Sequence, residues 1–249
     1  MRIIDAEWEK RNLGVSCYEL KLELSDTVDT VAAALDSLEE RQYMVAKIPS
    51  TKPELVRLFQ ERGYSFIETA IGLEYNYEKL NYQPPQIPKP LWKIRDKCTW
   101  GPMNEEEIEQ LRVEIRKGLF ETDRISLDSA FTEEQASRRY ELWIEDLIQK
   151  GNIPSKIAID EDIIGFSLSE QLSPGVYRGT LGGLYEEHKN SGVGFWYIYA
   201  GFMDAAKTKT KKSSIQVSSN NMPILRLHLL FGAEIKRCEY VFVKHNTKL

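Results

Sequence analysis

The sequence predicts an α/β protein in which a mixed central sheet is flanked by helices, with a smaller domain ahead of a larger one. Strand-like alternation and helix-like spacing of apolar residues follow one another along the chain, and this order builds sheets covered by helices. The 249 residues, 42% hydrophobic and 29% charged, suffice for one large core or two modest ones. A proline-rich linker at residues 81–91 indicates two domains.

Residues 1–80 are predicted to form the smaller domain. After an apolar opening at residues 3–4, the predicted strands cover residues 18–24, 43–48 and 65–73, and the predicted helices cover residues 27–41 and 52–62. The order strand, helix, strand, helix, strand favours a small sheet with helices packed against it. The pattern of this segment alone indicates no catalytic or binding chemistry.

Residues 92–249 are predicted to form the larger domain. Asn104 caps its first helix, and Thr132 with Gln135 forms a capping box at the start of the second. The predicted strands cover residues 92–99, 156–159, 163–168, 176–184 and 214–218, with a last strand ending near residue 244. The predicted order is strand, helix, helix, strand, strand, strand, helix, strand, helix, strand.

Charge and composition argue against several classes of function. The net charge of −5 disfavours general binding to nucleic acid, whose phosphates attract basic surfaces. No apolar run approaches the roughly 18 residues that a membrane span needs, so no membrane partner is expected. The chain begins without the apolar stretch of a signal peptide, and a cytoplasmic protein is expected. No His, Cys or carboxylate residues show zinc-ligand spacing, so no metal is expected.

The strand, loop and helix at residues 176–202 carry the main chemical motif. Gly179, Gly182 and Gly183 lie in the strand, where glycine lets another backbone or a ligand approach closely. The loop Lys189-Asn-Ser-Gly-Val-Gly directs successive backbone N–H groups and a helix N-terminus towards one anion. Its spacing matches neither a nucleoside triphosphate loop nor a dinucleotide fold. A plain strand, turn and helix with closely packed glycines is the alternative.

A second motif lies about 30 residues downstream. After the short strand at residues 214–218, Asn220 or Asn221 can cap a helix that has Pro223 in its first turn and Gly232 at its exit.

Together these motifs resemble the GNAT superfamily of N-acetyltransferases. The loop of that family reads Arg/Gln-x-x-Gly-x-Gly/Ala, and Lys189 stands here where Arg or Gln is usual. Its second signature is an Asn followed by a short helix ending in Tyr-x-x-x-Gly-Phe, which reads His228-Leu-Leu-Phe-Gly-Ala in this chain. The resemblance implies the acyl-CoA N-acyltransferase fold and a smaller, reduced GNAT-like domain at the N-terminus.

The resemblance also implies acetyl-CoA as cosubstrate. The strand before the loop, at Gly183 and Leu184, would pair with the pantetheine arm, and the Leu184 N–H would face the thioester oxygen. Asn220 is the matching asparagine of the second motif. The residues whose backbone would hold the CoA pyrophosphate are Lys189, Asn190, Ser191, Gly192, Val193 and Gly194.

Acetyl transfer to an amine needs a neutral amine, stabilisation of the oxyanion and a proton for the departing thiolate. The Leu184 N–H is predicted to stabilise the oxyanion. The family often uses a tyrosine on the last helix as the proton donor, and His228 stands there in this chain. An imidazole with a pKa near 6.5 can donate to a thiolate near neutral pH. Tyr185 is the alternative donor, and Glu68 and Asp123 are the candidate bases.

Other residues resemble those of two-domain acetyltransferases that modify nucleotide-linked amino sugars, such as the dTDP-fucosamine acetyltransferases of bacterial polysaccharide synthesis. These residues are Trp8-Glu9, Asn12-Leu-Gly14, residues 46–48 and 62–68, Asp123-Arg124, Tyr140 and Trp143. The resemblance implies that Asp123 and Arg124 contact the substrate and that a homodimer is a possible assembly.

The predicted function is therefore acetyl transfer from acetyl-CoA to the amine of a small molecule, by direct attack through a tetrahedral intermediate. A nucleotide-linked amino sugar is the predicted acceptor. Two alternatives stay open: a non-catalytic GNAT-like module that binds CoA or a protein partner, and an acetyltransferase that acts on protein N-termini or lysines.

Overall fold

The computed structural model describes residues 1–246, which form one mixed sheet with helices on both faces. The strands are β1 (Arg2–Asp5), β2 (Cys17–Lys21), β3 (Tyr43–Pro49), β4 (Ser65–Asn76), β5 (Cys98–Pro102), β6 (Ser155–Ile159), β7 (Asp162–Ser173), β8 (Val176–Leu184), β9 (Lys212–Ser218) and β10 (Glu234–His245). The helices are α1 (Glu7–Leu13), α2 (Val28–Ser37), α3 (Pro53–Glu61), α4 (Glu105–Arg116), α5 (Glu133–Gln149), α6 (Gly194–Thr208) and α7 (Met222–Leu230). This architecture confirms the predicted fold class.

The strands of the two predicted domains interleave. The order across the sheet is β1-β2-β3-β10-β4-β9-β8-β7-β6-β5. Strands β2 and β3 are parallel, as are β8 and β9, and the other neighbours are antiparallel. The division into domains at residues 1–80 and 92–249 stays a prediction. Residues 247–249, which the second of these includes, lie outside the described residues.

An internal repeat organises the sheet. Strand β3, helix α3 and strand β4 have 7, 9 and 12 residues, and β9, α7 and β10 have the same lengths. Each begins 169 positions after its counterpart (212 − 43, 222 − 53 and 234 − 65). Glycines with positive φ follow both helices, Gly63 at 81° and Gly232 at 87°. The first half of the chain, which contains β1–β4, and the second half, which contains β5–β10, are thus related by an approximate twofold axis between β4 and β10.

The helices of the second half cover both faces of the sheet. Helices α6 and α7 pack on one face, where Trp196, Phe202 and Phe231 are buried. Helices α4 and α5 cover the opposite face around Leu111 and Phe166. Helix α1 contacts α5 and so joins the two halves on that face. Each such large apolar side chain contributes about 1.5–3 kcal/mol by burial, so packing holds the helices on the sheet.

Local signals set most element boundaries, but helix α1 has no predicted counterpart and one predicted strand is wrong. Asn104 and Thr132 form the predicted capping boxes of α4 and α5. The strand predicted at residues 92–99 is wrong, because a 3-10 helix covers Lys89–Lys97 and β5 begins only at Cys98. Prolines in this stretch fix φ near the helical value and remove the donors that a strand needs. No helix within residues 1–246 is long and apolar enough to cross a membrane.

Candidate functional site

The candidate site is a gap in the sheet between β8 and β9. These parallel strands pair only from Val176 to Arg178 and from Lys212 to Ser214, and then they diverge. Strand β8 continues to Leu184 while still pairing with β7 on its other side. The remainder of β8 therefore has one edge that no strand occupies.

Two backbone amides of β8 are directed into this gap. The Tyr185 N–H donates to the Ile164 carbonyl oxygen at 2.9 Å, which makes these residues a hydrogen-bonded pair. Hydrogen-bonded and non-hydrogen-bonded pairs alternate along antiparallel strands. The N–H groups of Leu184 and Gly182 are therefore directed away from β7 and into the gap. The Gly183 N–H instead donates to β7. The predicted role of the Leu184 amide at a thioester oxygen stays a prediction.

The loop after β8 has the backbone of an anion site. Asn190 and Gly192 have φ values of 63° and 84°, and α6 begins at Gly194 after Val193, which makes no side-chain cap. Within residues 1–246, the N–H groups of Asn190 and Gly192 make no hydrogen bond. The first turn of α6 adds amides that have no partner inside the helix. This loop can therefore offer several N–H groups to one anion.

The side chain of Lys189 is already paired. Its ammonium lies 2.6 Å from Glu186 and 3.2 Å from Glu121. Burial lowers the pKa of Lys189, but its hydrogen bonds to Glu186 and Glu121 outweigh this effect and raise it. An anion in the loop would therefore have to compete with two carboxylates for this cation. Ser191 likewise turns inward and donates to the His188 carbonyl oxygen at 2.6 Å.

Apolar side chains separate the loop from the space behind it. A Cβ atom at Gly194 would lie 3.1 Å from Cδ1 of Leu227 and 3.7 Å from Cδ1 of Leu184. A Cβ atom at Gly182 would overlap the hydroxyl group of Tyr197, which reaches across from α6. The glycines thus allow close approach, as predicted, but protein side chains make that approach in this conformation.

A cavity of about 1150 Å³ lies on the other side of the gap, between the two halves of the chain. Gly182 of β8, Ser218 of β9 and His228 of α7 line it at the gap. Glu68 of β4, in the first half, and Arg124, between α4 and α5, also line it. The gap, with its free amides, therefore opens onto a chamber that can hold an acceptor.

Glu68 has the environment of a general base. Its side chain is 7% exposed, and its Oε1 accepts a hydrogen bond from the Arg124 N–H at 3.2 Å. Burial raises the pKa of this carboxyl, and the hydrogen bond from Ser218 opposes the increase. A buried carboxylate with a raised pKa takes up a proton more readily than an exposed one.

His228 lies in the cavity wall but is uncharged at neutral pH. It is 8% exposed, and burial lowers its pKa to about 4. This lowered pKa corrects the value near 6.5 that the sequence predicts. At pH 7 about one imidazole in 10³ is then protonated. Nδ1 of His228 lies 2.9 Å from the hydroxyl oxygen of Tyr75 on β4.

Tyr75 is a candidate that the sequence analysis missed. Burial raises the pKa of the Tyr75 phenol. The side chain lines the cavity beside His228, the residue that stands where the resembled family has a tyrosine. A tyrosine in a strand of the first half gives no local signal of this role. Only the pairing of β4 with β9, which the sequence does not reveal, brings it to α7.

Tyr185 points away from the cavity. It is 4% exposed and packs with Met103, Leu111 and Ile115 under α4, on the opposite face of the sheet from α6. Burial also raises its pKa. The prediction of Tyr185 as an alternative proton donor is corrected by this alternation of faces along the chain.

Asp123 and Arg124 lie in the cavity wall, but both have internal partners. Asp123 accepts hydrogen bonds from the Ile125 N–H at 2.9 Å and the Ser126 hydroxyl at 3.0 Å. The guanidinium of Arg124 is buried and pairs with Glu9 at 3.1 Å and Glu19 at 2.7 Å. Their predicted contact with substrate stays a prediction.

Asn221, and not Asn220, caps α7, through its side chain and the Ile224 N–H. Asn220 is exposed, and its amide group donates to the Ser218 hydroxyl at 3.2 Å. Of the two, Asn221 lines the cavity. No group of three or more His, Cys, Asp or Glu residues within residues 1–246 is arranged to hold a metal ion.

Solved structures with the same fold are numerous, although no protein-family model and no curated protein sequence matches the chain. A GCN5-related N-acetyltransferase from Sphaerobacter thermophilus is 13% identical over 82% of this chain, with a TM-score of 0.55. A tandem GNAT protein from the clavulanic acid biosynthesis pathway is 11% identical over 88%, with a TM-score of 0.52. A glucosamine N-acetyltransferase region of a fungal multi-domain protein is 11% identical over 98%, with a TM-score of 0.64.

The chain spans 59% of the Sphaerobacter chain, 68% of the tandem GNAT protein and 31% of the fungal chain. At these identities the likeness is one of fold. The chain thus has the GNAT fold that the two sequence motifs imply.

Proposed function

We propose that the protein is an acetyl-CoA-dependent N-acetyltransferase that acts on the amine of a small molecule. The observation that carries this proposal is the gap between β8 and β9, into which the amides of Gly182 and Leu184 are directed. The gap lies between an anion-binding loop and a cavity that contains the buried carboxyl group of Glu68. This order of features suits a thioester cosubstrate whose acyl end faces an acceptor.

We assign the following roles to these residues. Bound acetyl-CoA would supply the activated acetyl group. The Leu184 N–H donates to the oxygen that gains charge, Glu68 takes the proton of the attacking amine, and Tyr75 returns a proton to the sulfur. Fixed donors at the developing charge provide the largest contribution in acyl transfer of this kind. Neutral His228 accepts from or donates to Tyr75, depending on its tautomer, and holds the phenol in place.

We propose a small acceptor and not a peptide, because residues of both halves of the chain, including α5, line the cavity. A nucleotide-linked amino sugar remains the proposed acceptor class. A glucosamine N-acetyltransferase region has the same fold as this chain. This likeness is one of fold, and it is in line with an amino-sugar acceptor.

Thiol release tests the function directly. Acetyl-CoA is mixed with the protein and a panel of amino sugars, free and nucleotide-linked, and free thiol is measured with a thiol reagent. We expect amine-dependent thiol release and an acetylated product by mass spectrometry. Binding of CoA without turnover on any amine would instead support the non-catalytic module, and turnover only on peptides would support a protein acetyltransferase.

The contact of Leu227 with Gly194 gives a prediction for cosubstrate entry. Leu227→Ala is expected to tighten acetyl-CoA binding several-fold, because less side chain must be displaced before the ligand passes from the loop to the gap. Calorimetric titration measures the affinity. Leu229→Ala, an exposed leucine of the same helix, is the control. Equal affinities of wild type and Leu227→Ala would place the route elsewhere.

Tyr75→Phe tests the proton donor. We expect turnover to fall about 10²-fold, as for loss of a general acid, with little change in acetyl-CoA affinity. Tyr77→Phe is the matched control, since Tyr77 stacks on Tyr75 and its hydroxyl bonds to Ser213 at 3.0 Å. If both variants turn over like the wild type, the thiolate receives its proton from another source.

A further inference from the structure

Two lysines face each other across adjacent strands in the wall of the cavity. Lys21 of β2 and Lys47 of β3 are direct partners in the parallel register, and both line the cavity. Like charges in this arrangement destabilise a sheet. An anion bound to both ammonium groups would offset this repulsion.

The partners of these lysines leave positive charge in excess. Lys47 lies 3.1 Å from Glu19, but Glu19 also serves Arg124 at 2.7 Å. Arg237, which also lines the cavity, lies 3.4 Å from Glu239. The side-chain ammonium of Lys21 makes no ion pair or hydrogen bond within residues 1–246.

The surroundings of Lys21 disfavour its charge when no anion is bound. Burial lowers the pKa of Lys21, Arg237 and Lys47 lower it further, and Glu239 partly offsets them. An unpaired, partly buried ammonium beside two other cations is a group whose charge an anionic ligand would stabilise.

The register of the sheet relates this cluster to the candidate base. Lys47 is paired with Val241 of β10, and Val241 is paired with Glu68 of β4. With Lys21 next to Lys47, these four residues form one row across four strands. Neighbouring strands are about 4.8 Å apart, so the backbone of Lys47 lies about 10 Å from that of Glu68.

We propose that Lys21, Lys47 and Arg237 bind a phosphate group of the acceptor, while Glu68 faces its amine. This subsite rests on the proposed function and narrows its acceptor class. The spacing fits a molecule whose amine and phosphate are separated by a sugar ring. It does not fit an α-amino acid, in which amine and carboxylate share one carbon.

The test compares binding of glucosamine with that of glucosamine 1-phosphate and glucosamine 6-phosphate, by calorimetry at low and at physiological salt. We expect the phosphate to tighten binding by at least about 10-fold, and salt to weaken this preference. Lys21→Ala should remove most of the gain and leave the affinity for glucosamine unchanged. Because Lys21 makes no ion pair in the described part of the chain, removal of its side chain leaves no carboxylate there without a partner. Lys93→Ala, an exposed lysine outside the cavity, is the control.

The outcomes separate this subsite from the proposed function. Equal binding of glucosamine and its phosphates, no binding of any of them, or an unchanged phosphate preference in Lys21→Ala would each overturn the subsite. Thiol release only with amines that carry no phosphate would uphold the acetyltransferase and overturn the subsite. Phosphate-dependent binding that Lys21→Ala abolishes, without thiol release, would uphold the subsite and leave the transferase function refuted. The preference of 1-phosphate over 6-phosphate, or the reverse, identifies which sugar position faces the lysines.

Discussion

Glu68→Gln is expected to lower turnover by about 10²- to 10⁴-fold while leaving acetyl-CoA affinity nearly unchanged. The amide cannot take the amine proton, but its oxygen can still accept the hydrogen bond from the Arg124 N–H. Steady-state rates from thiol release, with calorimetric titration of acetyl-CoA, measure the two quantities. Glu74→Gln is the matched control, because Glu74 lies on the same strand and lies 3.7 Å from Lys212 in a half-exposed ion pair.

The same substitution should not lower stability at neutral pH. Because burial raises the folded-state pKa of Glu68 above its unfolded value, its contribution to stability is present at low pH and is lost as pH rises through the folded pKa. At pH 7 the ionised side chain therefore opposes folding, and a neutral glutamine removes that effect. Thermal unfolding at pH 7 measures this. Lost stability together with full turnover would contradict the role of Glu68 as base.

The pH profile gives an independent check. A base must be deprotonated to act, so wild-type turnover should fall as pH decreases through the raised pKa of Glu68. The acidic limb should then lie above the 4.5 of an unperturbed glutamic acid. Glu68→Gln should lack this limb.

The loop and the glycine-bearing strand before it could be predicted from the sequence because their signals are local. The glycines at residues 182–194 indicate close approach and, at Gly192, positive φ, and Asn221 caps the later helix α7. The predicted direction of the Leu184 amide needed only the pairing of β8 with its hairpin neighbour β7. Contacts between residues close in sequence are the ones that a pattern can reveal.

The rest of the candidate site depends on long-range pairing. Tyr75 reaches α7 only because β4 pairs with β9, and Lys21 comes into one row with Glu68 only because β10 inserts between β3 and β4. Nothing in the local pattern of a strand indicates which strand will lie beside it. The lowered pKa of His228 also depends on long-range contacts, because its burial results from packing against β4.

The internal repeat explains why only one half carries a cosubstrate gap. In the first half, β2 pairs with β3 along its whole length, from Cys17 to Lys21. In the second half, the equivalent strands pair over three residues and then separate. The first half therefore lacks free strand amides at the matching edge, and its strands contribute side chains to the acceptor side of the cavity instead: Lys21, Lys47, Glu68 and Tyr75.

The ion cluster centred on Arg124 ties these two halves together. Arg124, which lies between α4 and α5, pairs with Glu9 of α1 and Glu19 of β2, and Arg139 of α5 also binds Glu9 at 2.8 Å. Charges from both halves are thus buried in one network. Removing one member of such a network is more costly than forming it is favourable, because it leaves buried charge uncompensated.

Arg124→Ala is therefore expected to lower the free energy of unfolding by about 3–5 kcal/mol. Urea unfolding followed by circular dichroism measures this. Arg138→Ala is the control, since Arg138 is exposed and its single hydrogen bond goes to the Arg11 carbonyl oxygen at 3.3 Å, so its effect should stay within about 0.5 kcal/mol. A loss below about 1 kcal/mol for Arg124→Ala would show that Arg124 is available for substrate instead.

The acid dependence of stability distinguishes the ion network from simple loss of packing. Burial raises the pKa of Glu19, but Arg124 and Lys47 outweigh it and lower that pKa to about 2. A lowered folded-state pKa gives stability that is present above the unfolded value of 4.5 and is lost as pH falls towards 2. Wild-type protein should lose stability across this window. Arg124→Ala should lose less there, because Glu19 then keeps only Lys47 as a close partner, whereas a packing defect would lower stability equally at all pH values.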